Sequence, residues 1–198
     1  MTDKKIGVRE RILRTAMELF YVQGIQNTGI NQIIEEAGIA KGSLYRHFAS
    51  KNDLIRACLE EYDKYIHRTL MEIVSTTYNF TEFSNEWVNF MVRDYSKRYR
   101  GCPISESAYH IEESNTEIHE MIRGLFDKYR ALLSQIFSRM KKSGLLRQNT
   151  DTDLLAQRII LLYEGALAMY RMTRDMKIIE DLRELMPAVY NCMSGPGE

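Results

Sequence analysis

Three prolines, three cysteines and one tryptophan are spread through 198 residues, and the basic and acidic side chains cancel at 27 each. Each scarcity excludes something. Cys58, Cys102 and Cys192 are odd in number and far apart, with no CxxC and no Cys/His cluster, which removes a disulfide framework and a structural zinc site. Zero net charge removes a global positive field as a sign of a nucleic-acid partner. Locally, residues 1–55 hold eight Lys/Arg against six Asp/Glu and the rest nineteen against twenty-one, too slight a tilt to argue for DNA by itself. The most apolar segment, Ile159 to Tyr170, is interrupted by Glu164 and falls well short of a membrane span. Thr2-Asp3-Lys4-Lys5 does not read as a secretory signal. A reduced, soluble, cytoplasmic protein without a membrane partner is expected. No P-loop, dinucleotide fingerprint, nucleophile elbow or HExxH occurs, so nothing supports catalysis, and neither an enzyme nor a cofactor is expected.

What is present is helical spacing. Hydrophobic residues make up 44% of the chain, ample for a core, and no period-2 strand pattern interrupts them. Val8, Ile12, Leu13, Ala16, Leu19, Phe20 and Val22 form one stripe that Gly24 ends. Ile30, Ile33, Ile34 and Ala37 make a short second helix closed by Gly38, and a third spans about Lys41 to His47. Ser50 with Asp53 opens a long fourth helix through Ile73, and Asn79 with Glu82 opens a fifth to about Tyr99. Gly101-Cys102-Pro103 breaks it, and a shorter helix follows over Ile104 to Glu112. Ser114 with Glu117 starts a long one ending before Gly144; Asp151 starts another, and the last covers Ile178 to Cys192. The expectation is an all-α fold of about nine helices.

Residues 24–54 read as two short helices joined by a tight turn at Gly38. Ile30, Ile33, Ile34, Ile39, Leu44 and Phe48 wedge them against the first helix, leaving Lys41, Ser43, Tyr45, Arg46 and His47 outward. In a helix-turn-helix the second of these helices enters the major groove. Gly42 allows close backbone approach, and Lys51 starts the fourth helix where its amine can meet a phosphate. A solvated helical hairpin is the plainer alternative.

The run Ala37-Gly38-Ile39-Ala40-Lys41-Gly42-Ser43-Leu44-Tyr45-Arg46-His47-Phe48, followed by Lys51 and Leu54, closely resembles the signature of the TetR family of transcriptional regulators. The resemblance covers residues 8–56. It implies a three-helix DNA-binding domain over 1–50 and a helical effector-binding and dimerisation domain over 51–198. It also implies a ligand-responsive repressor that binds a palindromic double-stranded DNA operator as a homodimer and is released by a small-molecule effector. By the same resemblance Thr28 caps the second helix and touches a phosphate, and Asn31 points into the groove. Lys41, Gly42, Ser43 and Arg46 approach base edges, while Tyr45, His47 and Lys51 hold phosphates. Gly29 departs from the Ser or Thr usual at its position, at a cost in helix propensity and a phosphate contact. Ala40 stands where Ser is common, which leaves the recognition helix without a side-chain cap.

Leu154 to Met172 is apolar on nearly every side, and a helix of that kind must be buried on every side. With the family's partner supplied, Leu155, Ile159, Leu162, Tyr163, Ala166 and Tyr170 are expected at a dimer contact; a central core helix is the alternative. Adaptable and aromatic side chains (Trp87, Met91, Tyr95, Cys102, Tyr109, Met121, Phe126, Tyr129 and Met169) are the candidates to line an effector cavity, against plain core filling. Cys102, among Lys97, Arg98 and Arg100, raises an electrophile- or redox-sensing repressor as an alternative, with burial as a small hydrophobe opposing it. His110 and His119 lack a spacing that would bind metal and are expected in solvent. A non-DNA helical interaction module would explain the apolar C-terminal helices but not the pattern from Lys41 to Lys51.

Overall fold

The computed structural model describes residues 7–98, 102–109 and 111–193, with side chains at all of these except 94–98, 103, 106 and 109. In chain order the helical segments are α1 (Val8–Gln23), α2 (Ile30–Glu36), α3 (Lys41–His47), α4 (Lys51–Ser75) and α5 (Phe80–Arg98). They continue with α6 (Pro103–Tyr109), α7 (Thr116–Lys142), α8 (Thr152–Thr173), α9 (Lys177–Glu180) and α10 (Leu182–Cys192). The described residues contain no strand, as the all-α expectation requires. The tenth segment arises because the expected last helix is divided at Asp181. There Glu184 N–H bonds back three residues to the Asp181 carbonyl at 3.1 Å, a tightened 3₁₀-type turn.

The chain forms two compact units. The first joins the described residues up to Asp63 with Pro103–Ile122, and the second joins Lys64–Cys102 with the described residues from Arg123 onward.

In the first unit Ile12, Leu13, Ala16, Leu19 and Phe20 bury one face of α1, which pairs with α2, α3 and α6. Gly24 ends the helix at φ 86°, its N–H on the Phe20 carbonyl. Val22, placed in that stripe by its spacing, is exposed instead. At ~100° per residue it lies roughly 120° from the stripe's centre. Gly38 closes α2 at φ 61°. Its N–H bonds the Glu35 carbonyl at 3.0 Å, and Ile39 N–H reaches the Ile34 carbonyl at 3.1 Å. That is a Schellman ending, which needs a left-handed residue where a side chain would cost energy. Ile33, Leu44 and Phe48 are buried, while Ile30, Ile34 and Ile39 are only half-buried. Ser50 caps α4 by accepting Asp53 N–H at 3.1 Å. The first turn of α7 is capped not by Ser114 but by Asn115, whose Oδ1 accepts Ile118 N–H at 3.4 Å. The Ser114 hydroxyl is turned to Glu112 instead.

In the second unit α5, α7, α8 and α10 enclose an aromatic core. Phe83 meets Phe137 edge-on at 5.7 Å, and Trp87 lies tilted against Tyr163 with ring centres 5.4 Å apart. The caps follow the expected residues. Asn79 Oδ1 accepts Glu82 N–H at 2.8 Å, and Asp151 accepts Asp153 and Leu154 N–H. The six residues expected at a dimer contact are placed otherwise. Leu155, Ile159, Tyr163, Ala166 and Tyr170 are buried in the core of their own unit, and Leu162 packs half-buried against it. Both faces of α8 are apolar, so composition could not say which turns inward. The outward one carries Leu161 (65% exposed), Met169 (51%) and Met172 (75%).

Leu44→Ala is expected to lower stability by ~3 kcal/mol through a cavity in the first unit. Val22→Ala should stay within about 0.5 kcal/mol of wild type. Urea unfolding followed by circular dichroism checks both, and equal midpoints for the two variants would refute this placement.

Candidate nucleic-acid interface

The helix α3 is seven residues long and carries three basic side chains, Lys41, Arg46 and His47, and no acidic one. Leu44 is 0% exposed. With that side chain pinned inward, the helical period carries Arg46 to the opposite side and Tyr45 to about 100° from it, while Lys41 and His47, three residues before and after Leu44, flank the buried stripe. All four are exposed, Tyr45 at 46%. Gly42 faces open space, since a Cβ built there would meet nothing within 4 Å. Ser43 is half-buried, and its Oγ accepts a hydrogen bond from Arg46 Nη2 at 2.9 Å, which fixes the direction of the guanidinium. Asn31, on α2, is exposed as well. The cap residue Ala40 makes no side-chain bond, as its methyl group dictates.

Two expected contacts are arranged differently. Thr28 does not cap α2: Gly29 stands at the cap, and Thr28 is 0% exposed. Its hydroxyl donates to the Gly24 carbonyl at 2.7 Å and accepts from Gln23 Nε2 at 3.2 Å, so it braces the loop from within rather than presenting an oxygen to a phosphate. Lys51 is half-buried, and its Nζ donates to the Ile25 carbonyl at 2.7 Å. Burial holds this amine below the ordinary lysine range, and the Glu112 carboxylate opposes that shift. The amine therefore ties the α1–α2 connection to the start of α4.

Two features carried no signal in the sequence. Arg9, exposed on the first turn of α1, lies over the Phe48 ring at 5.4 Å and so stands beside the C-terminal end of α3. Asn52 and Arg56 of α4 bond to Asn115 and Glu117, partners 61 to 65 positions away. No local spacing can announce either contact.

The proposed effector residues separate. Trp87 and Met91 are buried in the second unit's core, and Tyr129 stands edge-on to Trp87 at 6.4 Å. Cys102 is half-buried against the same core, and Phe126 is half-buried on α7. Met121 falls in the first unit, and Met169 is on the exposed face of α8, so neither joins that group. The side chains of Tyr95 and Tyr109 lie outside the described residues. Burial pushes the Cys58 thiol upward, which leaves it protonated and inert at neutral pH. His119 is half-buried, with a ring nitrogen 3.2 Å from the Glu112 carbonyl, rather than open to solvent; His110 lies outside the described residues. Among the described residues no group of three His, Cys, Asp or Glu is placed to hold a metal ion, and no helix is long and apolar enough to cross a membrane.

The comparisons with known proteins agree with this geometry. Residues 12–58 match the family model of bacterial regulatory proteins of the tetR family, and residues 80–186 match the tetracyclin repressor-like C-terminal domain. An uncharacterized HTH-type transcriptional regulator of Lactococcus lactis is 25% identical over 184 residues, 91% of each chain. The HTH-type transcriptional repressor KstR2 of Rhodococcus jostii is 29% identical over 140 residues, 64% of this chain and 67% of that one. A TetR-family regulator from Cytophaga hutchinsonii shares the fold with a TM-score of 0.82 at 19% identity, covering 96% of both chains. With more than half its length in the C-terminal model and the helix-turn-helix in the N-terminal one, the chain belongs to the TetR family of bacterial transcriptional regulators.

Proposed function

We propose that this regulator is a cytoplasmic repressor that grips a near-palindromic DNA operator as a homodimer and leaves it when a small molecule enters its C-terminal domain. In that division of labour residues 1–50 read DNA, and residues 51–198 dimerise and receive the effector. The observation that carries the proposal is α3, with Leu44 wholly buried and Lys41, Tyr45, Arg46 and His47 outward. Lys41, Gly42, Ser43 and Arg46 approach base edges and select the sequence; Asn31 joins them from α2. Tyr45 and His47 hold phosphates and set the register. Lys51 serves from behind, through the Ile25 carbonyl, and joins a phosphate only if DNA draws its amine outward.

One α3 reads too few base pairs for a specific site, so a two-fold partner is needed. A second copy of this chain fits the outward face of α8. Leu154, Leu161 and Ala168 recur there at seven-residue spacing, as do Gly165 and Met172, the repeat of helices packed side by side. Leu185 of α10 adds an exposed apolar side chain. Trp87, Tyr129 and Tyr163, in mutual contact, are the aromatic side chains best placed to meet an effector.

Selection from a random duplex library should enrich a near-palindrome with half-sites about one helical turn apart. Tyr45→Ala should weaken binding to it on the order of tenfold, about 1.4 kcal/mol, with circular dichroism unchanged. Failure to enrich any sequence, or full affinity in the variant, would sink the DNA-reading proposal. For the dimer, Leu161→Glu with Met172→Glu should move the protein to monomer mass in sedimentation velocity; a dimer that persists would place the contact elsewhere.

A further inference from the structure

We infer that Asn52, Arg56, Asn115 and Glu117 form a clamp that positions α4, and through it α3, for DNA, making the connection between α6 and α7 a working part of the DNA-reading unit. The inference rests on the DNA-reading function proposed above. The starting observation is that Pro103–Ile122 folds into the same compact unit as the helix-turn-helix. Its apolar base is set by Ile104, Ile111, Ile118 and Ile122, all buried, with α6 against α1.

Over that base the polar contacts are reciprocal. Asn52 Nδ2 donates to Asn115 Oδ1 at 3.5 Å, and Asn115 Nδ2 donates back to Asn52 Oδ1 at 3.1 Å. Asn115 is also the cap of α7, so one side chain starts that helix and holds α4. The Arg56 guanidinium pairs with Glu117 and also reaches Asp53 Oδ1 at 3.3 Å. The other Glu117 oxygen accepts from Asn52 at 3.4 Å. Asn52 and Arg56 are four residues apart on α4, so two successive turns are held on one face.

The first residue of α4, Lys51, is bound on the other side to the Ile25 carbonyl. The start of α4 is thus held by the α1–α2 connection and by the α6–α7 connection together. Only Phe48, Ala49 and Ser50 separate it from α3, and Phe48 is buried. A span this short passes a shift of α4 directly to the recognition helix.

Arg56 and Glu117 are 38% and 56% exposed, so their pairing adds little to stability, and its effect is geometric. That yields a prediction opposite in sign to plain electrostatics. Glu117→Gln removes a negative charge from a protein that binds a polyanion, which by charge alone strengthens binding. A clamp predicts weakening. The test measures fluorescence anisotropy of the full chain with the selected duplex across a salt series, for wild type, Glu117→Gln, Arg56→Gln and the pair. Each single variant and the double should weaken binding by a similar factor, on the order of fivefold, because they break one contact. The slope of log affinity against log salt should stay at the wild-type value, whereas loss of a phosphate contact would lower it by about 0.9. The exchange Arg56→Glu with Glu117→Arg should restore affinity. Equal or tighter binding by Glu117→Gln, or a lowered slope for Arg56→Gln, overturns the clamp while leaving DNA reading intact. A wild-type protein that binds no duplex overturns DNA reading and the clamp with it.

Discussion

A helix of seven residues has almost no stability of its own, because nucleating it costs more than its few hydrogen bonds return. The α3 segment exists because one side chain, Leu44, is wholly withdrawn from solvent between α1 and α2. Everything else about the DNA-facing surface follows from that anchor. Once Leu44 points inward, Arg46 and Tyr45 are turned away from the core, and Lys41 and His47 stand exposed at either edge of the buried stripe. The Schellman ending at Gly38 fixes where α2 stops, two residues before the cap of α3, and the buried Phe48 holds the far end of α3, so its direction is set as well as its rotation. The affinity for a polyanion therefore depends on an apolar contact, in a protein whose formal charge is zero.

The supports around this anchor are polar and mostly internal. Thr28 and Gln23 brace the loop before α2, Lys51 ties that loop to α4, and Arg9 covers Phe48. Two residues that the family signature would place on phosphates, Thr28 and Lys51, are thus bonded inward and hold the reading head in shape. In the second unit the logic is simpler. Aromatic rings from α5, α7, α8 and α10 close a core, and the unburied apolar face of α8 is what remains for another surface.

Local features were legible in the sequence, and long-range ones were not. Gly24 and Gly38 announced helix ends, and Ser50, Asn79 and Asp151 announced caps, because each acts on neighbours a few residues away. The helix-turn-helix was legible for the same reason, since its packing residues recur within one short segment. Asn115 displaced Ser114 as a cap because both are competent and only the path of the chain chooses between them. Composition does not tell the inward face of α8 from the outward one, because Leu155, Ile159 and Tyr163 are no more apolar than Leu161, Met169 and Met172 on the other side. The pairing of Asn52 and Arg56 with Asn115 and Glu117 spans too much chain for any periodicity to reveal.

The central claim is that α3 docks in the major groove through the surface that Leu44 turns outward. Dimethyl sulfate footprinting on the selected duplex probes it most directly, because the reagent reports guanine N7 on the major-groove edge. The account predicts two patches of N7 protection on one face of the DNA, about one helical turn apart, both lost when α3 is disarmed. Binding that leaves every N7 in the half-sites reactive would contradict it.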